Sequence, residues 1–452
     1  MSTARGAADP VQAYHELLQA APLVDSSLAA LHRGQAGRGL TFGERPVSVS
    51  LRPNLLTRAR WEAAIKAATF VHGAMRRLER ALLRDQSLRA ELDLSPDEER
   101  LALAYPGCES SSPSTRLDSF FGRAVRFVEY NAESPAGMAY GDNLIDVFES
   151  LPVMRAFRGR YALRPLPVRS RQLTCMLRSF REWGREAEPV VAIVDWEGLP
   201  TASEFELFQA FFASRGLRCV ICDPRALTFR RGALYAGSVR VNLVYRRVLT
   251  SELLARQPES SALIDAYLAG AACVVNTFRA KLLHKKMTLA LLSDERFRSL
   301  YTPEQRAAID RHVPWTRRLR EGPSTWRGRV EPDLLGFVAR SRDRLVLKPN
   351  DEYGGKGVVL GWTVDQAAWE RALSEALAEC YVVQEAVEIP REPFPVAVEG
   401  DVSMLDLAVD LDPYLFHGRP GGVLTRLSSS ALLNVTAGAG SVVPTFVVEG
   451  VK

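Results

Sequence analysis

No uncharged apolar run in this 452-residue chain reaches the roughly 18 residues that a membrane-spanning helix needs. The amino terminus, MSTARGAADPVQAYHELL, has no apolar segment after its single arginine, so nothing marks it for export and a cytoplasmic protein is expected. Cysteine is scarce. The six present, Cys108, Cys175, Cys219, Cys222, Cys273 and Cys380, are too dispersed for a disulfide framework, and reduced thiols are expected. Cys219 and Cys222 form a C-x-x-C, but they sit in the apolar run LRCVICD and no second pair or spaced histidines follow. A buried strand is therefore expected there rather than a zinc site. No block of like charge occurs either: 58 basic and 53 acidic residues leave a net charge of +5 and are scattered along the chain. That balance argues against a nucleic-acid partner and leaves phosphate-bearing small ligands compatible. Internal repeats and low-complexity tracts are missing. So are G-x-G-x-x-G ahead of a helix and the P-loop pattern, which excludes those two modes of nucleotide binding.

What is present is an ordinary globular balance, 47% hydrophobic and 25% charged, in a chain too long for one core. Three regions are expected: residues 1–106, mostly helical; residues 107–276, an α/β substrate lobe; and residues 277–452, carrying the chemistry. The first forty residues end in the glycine-rich HRGQAGRGL and read as a flexible entry with little structure. A long helix is predicted from Trp61 to Leu83, because Ile65, Ala68, Val71, Met75, Leu78 and Leu82 recur at three- and four-residue spacing. Ser95-Pro96-Asp97-Glu98 predicts another helix start with a capping box. A strand from Arg126 to Tyr130 delivers Glu129 and Asn131 near its end, where α/β folds place ligand-contacting groups. Farther on, VVAIVDW reads as a buried strand and Thr201-x-x-Glu204 as a capping box. A helix with the stripe Phe205, Phe208 and Phe212 follows, then the strands LRCVICD and VRVNLVYRR, the order of a parallel α/β layer.

The most informative stretch is LVLKPNDEYGGKGVVLGW, from Leu345 to Trp362, in which two apolar strands flank a glycine-rich turn. Gly354, Gly355 and Gly357 let main-chain N–H groups approach a ligand closely, while Lys348 and Lys356 add positive charge, a combination suited to triphosphate. A lysine ending an apolar strand, as in LVLKP, has a buried stem and aims its ammonium at the adjoining cleft. Then comes the helix AAWERALSEAL and a second apolar strand, YVVQEAVEIP, whose end at Gln384 and Glu385 can hydrogen-bond an adenine edge.

This order of apolar strand with Lys348, glycine flap, helix, and strand ending in Gln384-Glu385 resembles the ATP-grasp fold. More narrowly, the chain resembles the circularly permuted ATP-grasp proteins related to glutathionylspermidine synthase. Further segments carry that likeness: EYNAESPAG around Asn131, LVYRR ending at Arg246 and Arg247, VVNTFRAKLLHKK up to Lys286, and the run from Asp410 to Gly440. The resemblance implies a mixed α/β and α+β architecture, with a permuted ATP-grasp unit behind a Rossmann-like lobe and a helical amino-terminal region. It further implies ATP and magnesium as cofactors. Lys286 and Lys348 would be the two phosphate-touching lysines, Gly354, Gly355, Lys356 and Gly357 the flap, and Glu385 the adenine hinge with Gln384 beside it. Standing alone, Lys285 and Lys286 would read as a solvated helix face.

Asp406, Asp410 and Asp412 fall on one face of a probable strand, and a divalent cation is the usual reason to tolerate such carboxylates together. Arg426, in GGVLTR, and Asn434, in LLNVTAG, match the family's PGG-x-x-TR and VN segments, so Arg426 would meet acyl-phosphate charge and Asn434 the metal. Many ATP-grasp ligases pair metal ligands as Glu-x-Asn, yet no glutamate occurs between Glu399 and Glu449. The metal is therefore expected on Asp410, Asp412 and Asn434. The implied activity is an ATP-dependent carboxylate-amine ligase working through an acyl phosphate, with Lys286, Lys348 and Arg426 catalytic and Glu129, Asn131, Arg246 and Arg247 holding small-molecule acid or amine substrates. A nucleotide-binding protein without ligase activity, or a phosphotransferase, fits the same residues. Neither nucleic acid nor membrane is expected as a partner.

Overall fold

The computed structural model describes residues 9–186, 188–398, 400–431 and 440–452. The long helix forms as Arg58–Arg84, with the Thr57 side chain accepting from the Arg60 N–H at its start. Its apolar stripe is buried in a core shared with Phe127, Leu283, Met287 and Leu415, so it braces the segment that carries Lys286. The Ser95–Glu98 capping box closes as expected at the head of Pro96–Leu103. The amino-terminal stretch is more ordered than its glycines suggested. Helices Pro10–Leu17 and Ala21–Ala36 pack Tyr14 and Leu31 into the central core.

A parallel sheet of four strands runs Cys273–Val275, Leu243–Arg246, Val190–Val194, Arg218–Cys222, which is the expected α/β layer. Two details differ from expectation. LRCVICD forms an edge strand of this sheet, Arg218–Cys222, and is only half-buried; burial still pushes the Cys219 and Cys222 thiols up to about 12. VRVNLVYRR is not one strand. Asn242 interrupts it, its side chain accepting from the Val190 N–H, so Val239–Val241 joins a separate antiparallel sheet.

The linear division at 106/107 and 276/277 does not partition the sheets. An antiparallel sheet runs Ser441–Val442, Arg419–Ser428, Asp401–Phe416, Ser114–Phe121, Val125–Asn131, with Arg391–Val398 also paired to Asp401–Phe416. It thus joins the strand bearing Glu129 to the strands bearing Asp410 and Arg426. Thr445–Val451 lies between Asn54–Thr57 and Tyr161–Pro165 in a third sheet. The lysine strand Leu345–Pro349 pairs with Val359–Leu360 across the glycine turn and with Tyr381–Glu385, and Gln366–Ala378 packs Trp369 beneath them. Among the described residues no helix is long and apolar enough to cross a membrane.

Candidate active site

A cavity of about 390 Å³ opens where the lysine sheet, the long antiparallel sheet and the α/β layer meet. Asn350, directly after Lys348-Pro349, organises one end. Its carbonyl accepts from the Lys286 N–H and its side-chain oxygen from the Met287 N–H, docking the Lys286 segment onto the end of the lysine strand. Lys286 is only 6% exposed and Lys285 4%, so the pair is no solvated face. Lys285 turns away to Glu98 at 2.9 Å. Lys286 turns inward, donating to the Glu352 carbonyl and lying 3.3 Å from the Glu129 carboxylate. The Lys348 ammonium donates to the Val128 carbonyl at 3.1 Å and to Gln384 Oε1 at 2.7 Å. Burial pushes Lys348 down to about 8, with Glu129 opposing. Burial acts to raise the Glu129 carboxyl, but Lys286 and Lys348 outweigh it and hold that group below its ordinary range. Both lysines and Glu129 line the same cavity, with Lys286 paired to the carboxylate and Lys348 held beside it by Val128 and Gln384.

Gly354 and Gly355 roof this end, and Val128, Val346, Val358, Leu360, Val387 and Ile389 line an apolar slot below. The flap is tied at its base by Asp351 to Lys281, 2.6 Å, and by the Tyr353 hydroxyl to Glu252, 3.1 Å. Lys356 and Gly357 stand outside the lining. Lys356 is exposed and pairs with Glu352 at 3.1 Å, while Gly357 (φ +71°) seals the turn against Pro349 and Tyr381. Gln384 lines the cavity with its side chain already engaged by Lys348 and Thr316. Glu385 lines it too, but its carboxylate is held by Arg327 at 2.6 Å and Arg126 at 3.5 Å. The main-chain N–H of Glu385 is engaged as well, donating to the Trp315 carbonyl at 2.8 Å.

The middle of the cavity carries an arrangement the sequence did not suggest. Arg426 Nη2 stands 2.8 Å from Asp118, 2.6 Å from Asp410 and 2.9 Å from Asp412, and Arg116 grips Asp118 at 2.7 Å. Burial, ahead of all other causes, raises both the Asp410 and Asp412 carboxyls. Asp412 lies behind the cavity wall, and Asp406 is exposed at the far end of the strand against Arg391. Asp410 and Asp412, expected as metal ligands, are therefore committed to a guanidinium, and Asn434 lies outside the described residues. Glu129 and Asn131 line the cavity. Arg246 and Arg247 do not. Arg246 is fully buried, 3.0 Å from Glu133 and bonded to the carbonyls of Val248, Asn276 and Thr277. Arg247 bonds the Pro135 carbonyl and approaches Glu204. Glu204 forms no capping box with Thr201. Its two oxygens accept instead from the Gly137 and Ala139 N–H groups, capping Met138–Ser150.

Magnesium takes hard oxygen donors, and the cavity wall offers those of Glu129, Asn131 and Glu352, with Glu129 paired to Lys286 at 3.3 Å and Glu352 to Lys356 at 3.1 Å. The amide nitrogen of Asn131 is spent on Asp118 at 2.7 Å, leaving its oxygen as the ligating atom. Among the described residues no cluster of three or more His, Cys, Asp or Glu groups suited to a metal occurs, and the set here depends on its asparagine. Glu129-Tyr130-Asn131 is itself a Glu-x-Asn, lying far upstream of the place expected for one, and Glu352 stands four residues after Lys348. Arg116 and Asp118 had no such motif to betray them.

Compared with models of protein families, the sequence matches none. Uncharacterized proteins of Mycobacterium bovis and Mycobacterium tuberculosis are 24% identical to it, over 91% of this chain and 76% of theirs. A putative gamma-glutamylcysteine synthetase from Methylobacillus flagellatus superposes with a TM-score of 0.42 at 11% identity, over 87% of this chain and 89% of that one, too distant a likeness to bear on the fold. A glutathione synthetase-like effector from Globodera pallida, solved in its apo form, superposes with a TM-score of 0.61 at 12% identity over 94% of this chain and 97% of that one; the mixed α/β architecture of this protein is similar to that glutathione synthetase-like fold.

Proposed function

We propose that the cavity binds ATP and that the protein is an ATP-dependent carboxylate-amine ligase. The observation that carries this reading is that Lys286 and Lys348 both line one cavity with Gly354 and Gly355, beside an apolar slot. Two buried ammonium groups outnumber the one carboxylate beside them, Glu129, and a polyphosphate is an anion whose charge meets the excess. The apolar slot of Val128, Val346, Val358, Leu360, Val387 and Ile389 suits a purine. Glu129, Asn131 and Glu352 would hold magnesium, which when bound supplies positive charge to the phosphates.

In this reading a carboxylate oxygen of the acid substrate attacks the γ-phosphorus and the bond to the β-phosphate oxygen breaks, giving ADP and an acyl phosphate. Lys286 and Lys348 offset charge on the transferring group, so positioning and electrostatics supply most of the acceleration. An amine then attacks the acyl carbon and expels phosphate, losing a proton as the amide forms. The flap excludes water that would hydrolyse the intermediate. The permuted ATP-grasp assignment is part of the same proposal. It is supported by the sheet that unites Val125–Asn131 with the carboxy-terminal strands.

Release of ADP and phosphate that requires both an acid and an amine tests the proposal, with a purified Lys348→Ala variant as the control. The variant should lose turnover by roughly 100-fold or more, as removal of a preorganised charge contact does. Normal turnover by that variant would overturn the assignment of the nucleotide site.

A further inference from the structure

The three residues that lead into the glycine flap, Asp351, Glu352 and Tyr353, are each tied to another element. One oxygen of Asp351 stands 2.6 Å from the Lys281 ammonium and the other 3.7 Å from Lys285. The Glu352 carbonyl accepts from Lys286. The Tyr353 hydroxyl donates to Glu252 at 3.1 Å, and Glu252 is itself held by the Leu249 N–H at the head of Thr250–Ala255. Behind the flap lies a buried group of charges. Lys281 is 3.4 Å from both Glu98 and Glu133, Lys285 takes Glu98 at 2.9 Å, and Arg246 takes Glu133 at 3.0 Å. Burial lowers His284, 3.9 Å from Glu133, and keeps it neutral.

Without the flap this group holds three cations, Arg246, Lys281 and Lys285, against two carboxylates, Glu98 and Glu133. Asp351 supplies the third carboxylate, and it alone comes from the flap: its side chain is 23% exposed, whereas the other five are at most 7% exposed. A buried charge left without a partner is expensive, so the group draws this carboxylate in. We propose that Asp351 docks the glycine flap by completing the charge of this group, without help from a ligand, and is thereby a positioning residue for whatever binds beneath Gly354 and Gly355. The docking stands on the charge group alone; that the ligand is a nucleotide rests on the reading above.

Lysine-specific proteolysis of the ligand-free chain tests it. Lys281, Lys285 and Lys286 are buried and Lys348 precedes a proline, so the protease meets the folded chain at Lys356 in the flap, Lys66 in the long helix and Lys452 at the end. Cleavage after Lys356 tracks the population of undocked flap, and cleavage after Lys66 tracks unfolding of the core. Asp351→Asn should raise the first rate about tenfold or more and leave the second unchanged. Tyr353→Phe, which removes one hydrogen bond at the surface, should raise the first rate to a smaller extent. In calorimetry the Asp351→Asn chain should bind a non-hydrolysable ATP analogue several-fold more weakly, because affinity falls with the docked population. A wild-type chain cut after Lys356 as fast as both variants would overturn the docking. So would an Asp351→Asn chain cut faster after Lys66 in equal measure, since the carboxylate would then serve the core. Slow cleavage of the wild type with equal analogue affinity in the variant would overturn the positioning role. Docking that holds in a wild-type chain unable to bind the analogue would leave this inference standing and overturn the nucleotide reading alone.

Discussion

Burial costs the Lys348 ammonium its normal basicity, lowering it from 10.5 to about 8. Below about pH 8 both folded and unfolded chains hold this proton, and the folded state bears the full desolvation penalty. Between about 8 and 10.5 the folded chain has released it while the unfolded chain retains it, so this group makes stability rise with pH across that window. Binding of a polyanion runs the other way, because it needs the proton. Affinity for an ATP analogue should therefore weaken as pH rises through about 8, and Lys348→Arg, whose charge persists, should flatten the profile in calorimetry. Arg246 illustrates a cation with a different task. It pairs with Glu133 where neither side chain reaches solvent, and Glu133 is held well below its ordinary range by Lys281 and Arg246 against a large burial cost. Arg246→Met leaves that carboxylate short of a partner and should cost about 3–5 kcal/mol in chemical denaturation. Two adjacent arginines at a strand end looked like substrate clamps. Whether such a side chain faces a cleft or a core depends on what packs over the strand end, and the local sequence does not contain that.

At the scale of elements, the glycine hairpin was legible because its chemistry is local: two apolar strands and a turn needing left-handed backbone. Gly357 shows the requirement directly, with φ +71° and Pro349 and Tyr381 each 3.0 Å from where a Cβ would stand. Gly357→Ala should strain the turn by about 1–2 kcal/mol. The expected result is several-fold weaker binding of the ATP analogue with little change in the global melting temperature, which calorimetry and thermal denaturation together would separate. The long helix and the capping box at Ser95 were legible for the same local reason. The Thr201-x-x-Glu204 box was not formed, although its sequence is just as good. Unsatisfied N–H groups at Gly137 and Ala139, brought alongside by the tertiary fold, compete for the same carboxylate and win it.

For the whole molecule, the strand Thr445–Val451 is the seam, pairing with Asn54–Thr57 from the helical region and Tyr161–Pro165 from the α/β region. Phe446 in that strand is fully buried. Phe446→Ala should cost about 3–5 kcal/mol, and circular dichroism and tryptophan fluorescence should still report one coincident transition, because pairings cross every boundary between regions. Two separate transitions would show that the regions unfold independently. The sequence by itself determined the strand and helix periods, the glycine hairpin, and the strand that delivers Glu129 and Asn131, since each rests on residues close together in the chain. Only the tertiary structure decided that Lys286 and Lys348 line one cavity, that Asp410 and Asp412 belong to Arg426, and that Arg246 is buried against Glu133. Those outcomes arise from pairings between segments up to hundreds of residues apart, where burial and competing partners, rather than local pattern, set the free energy of each charge.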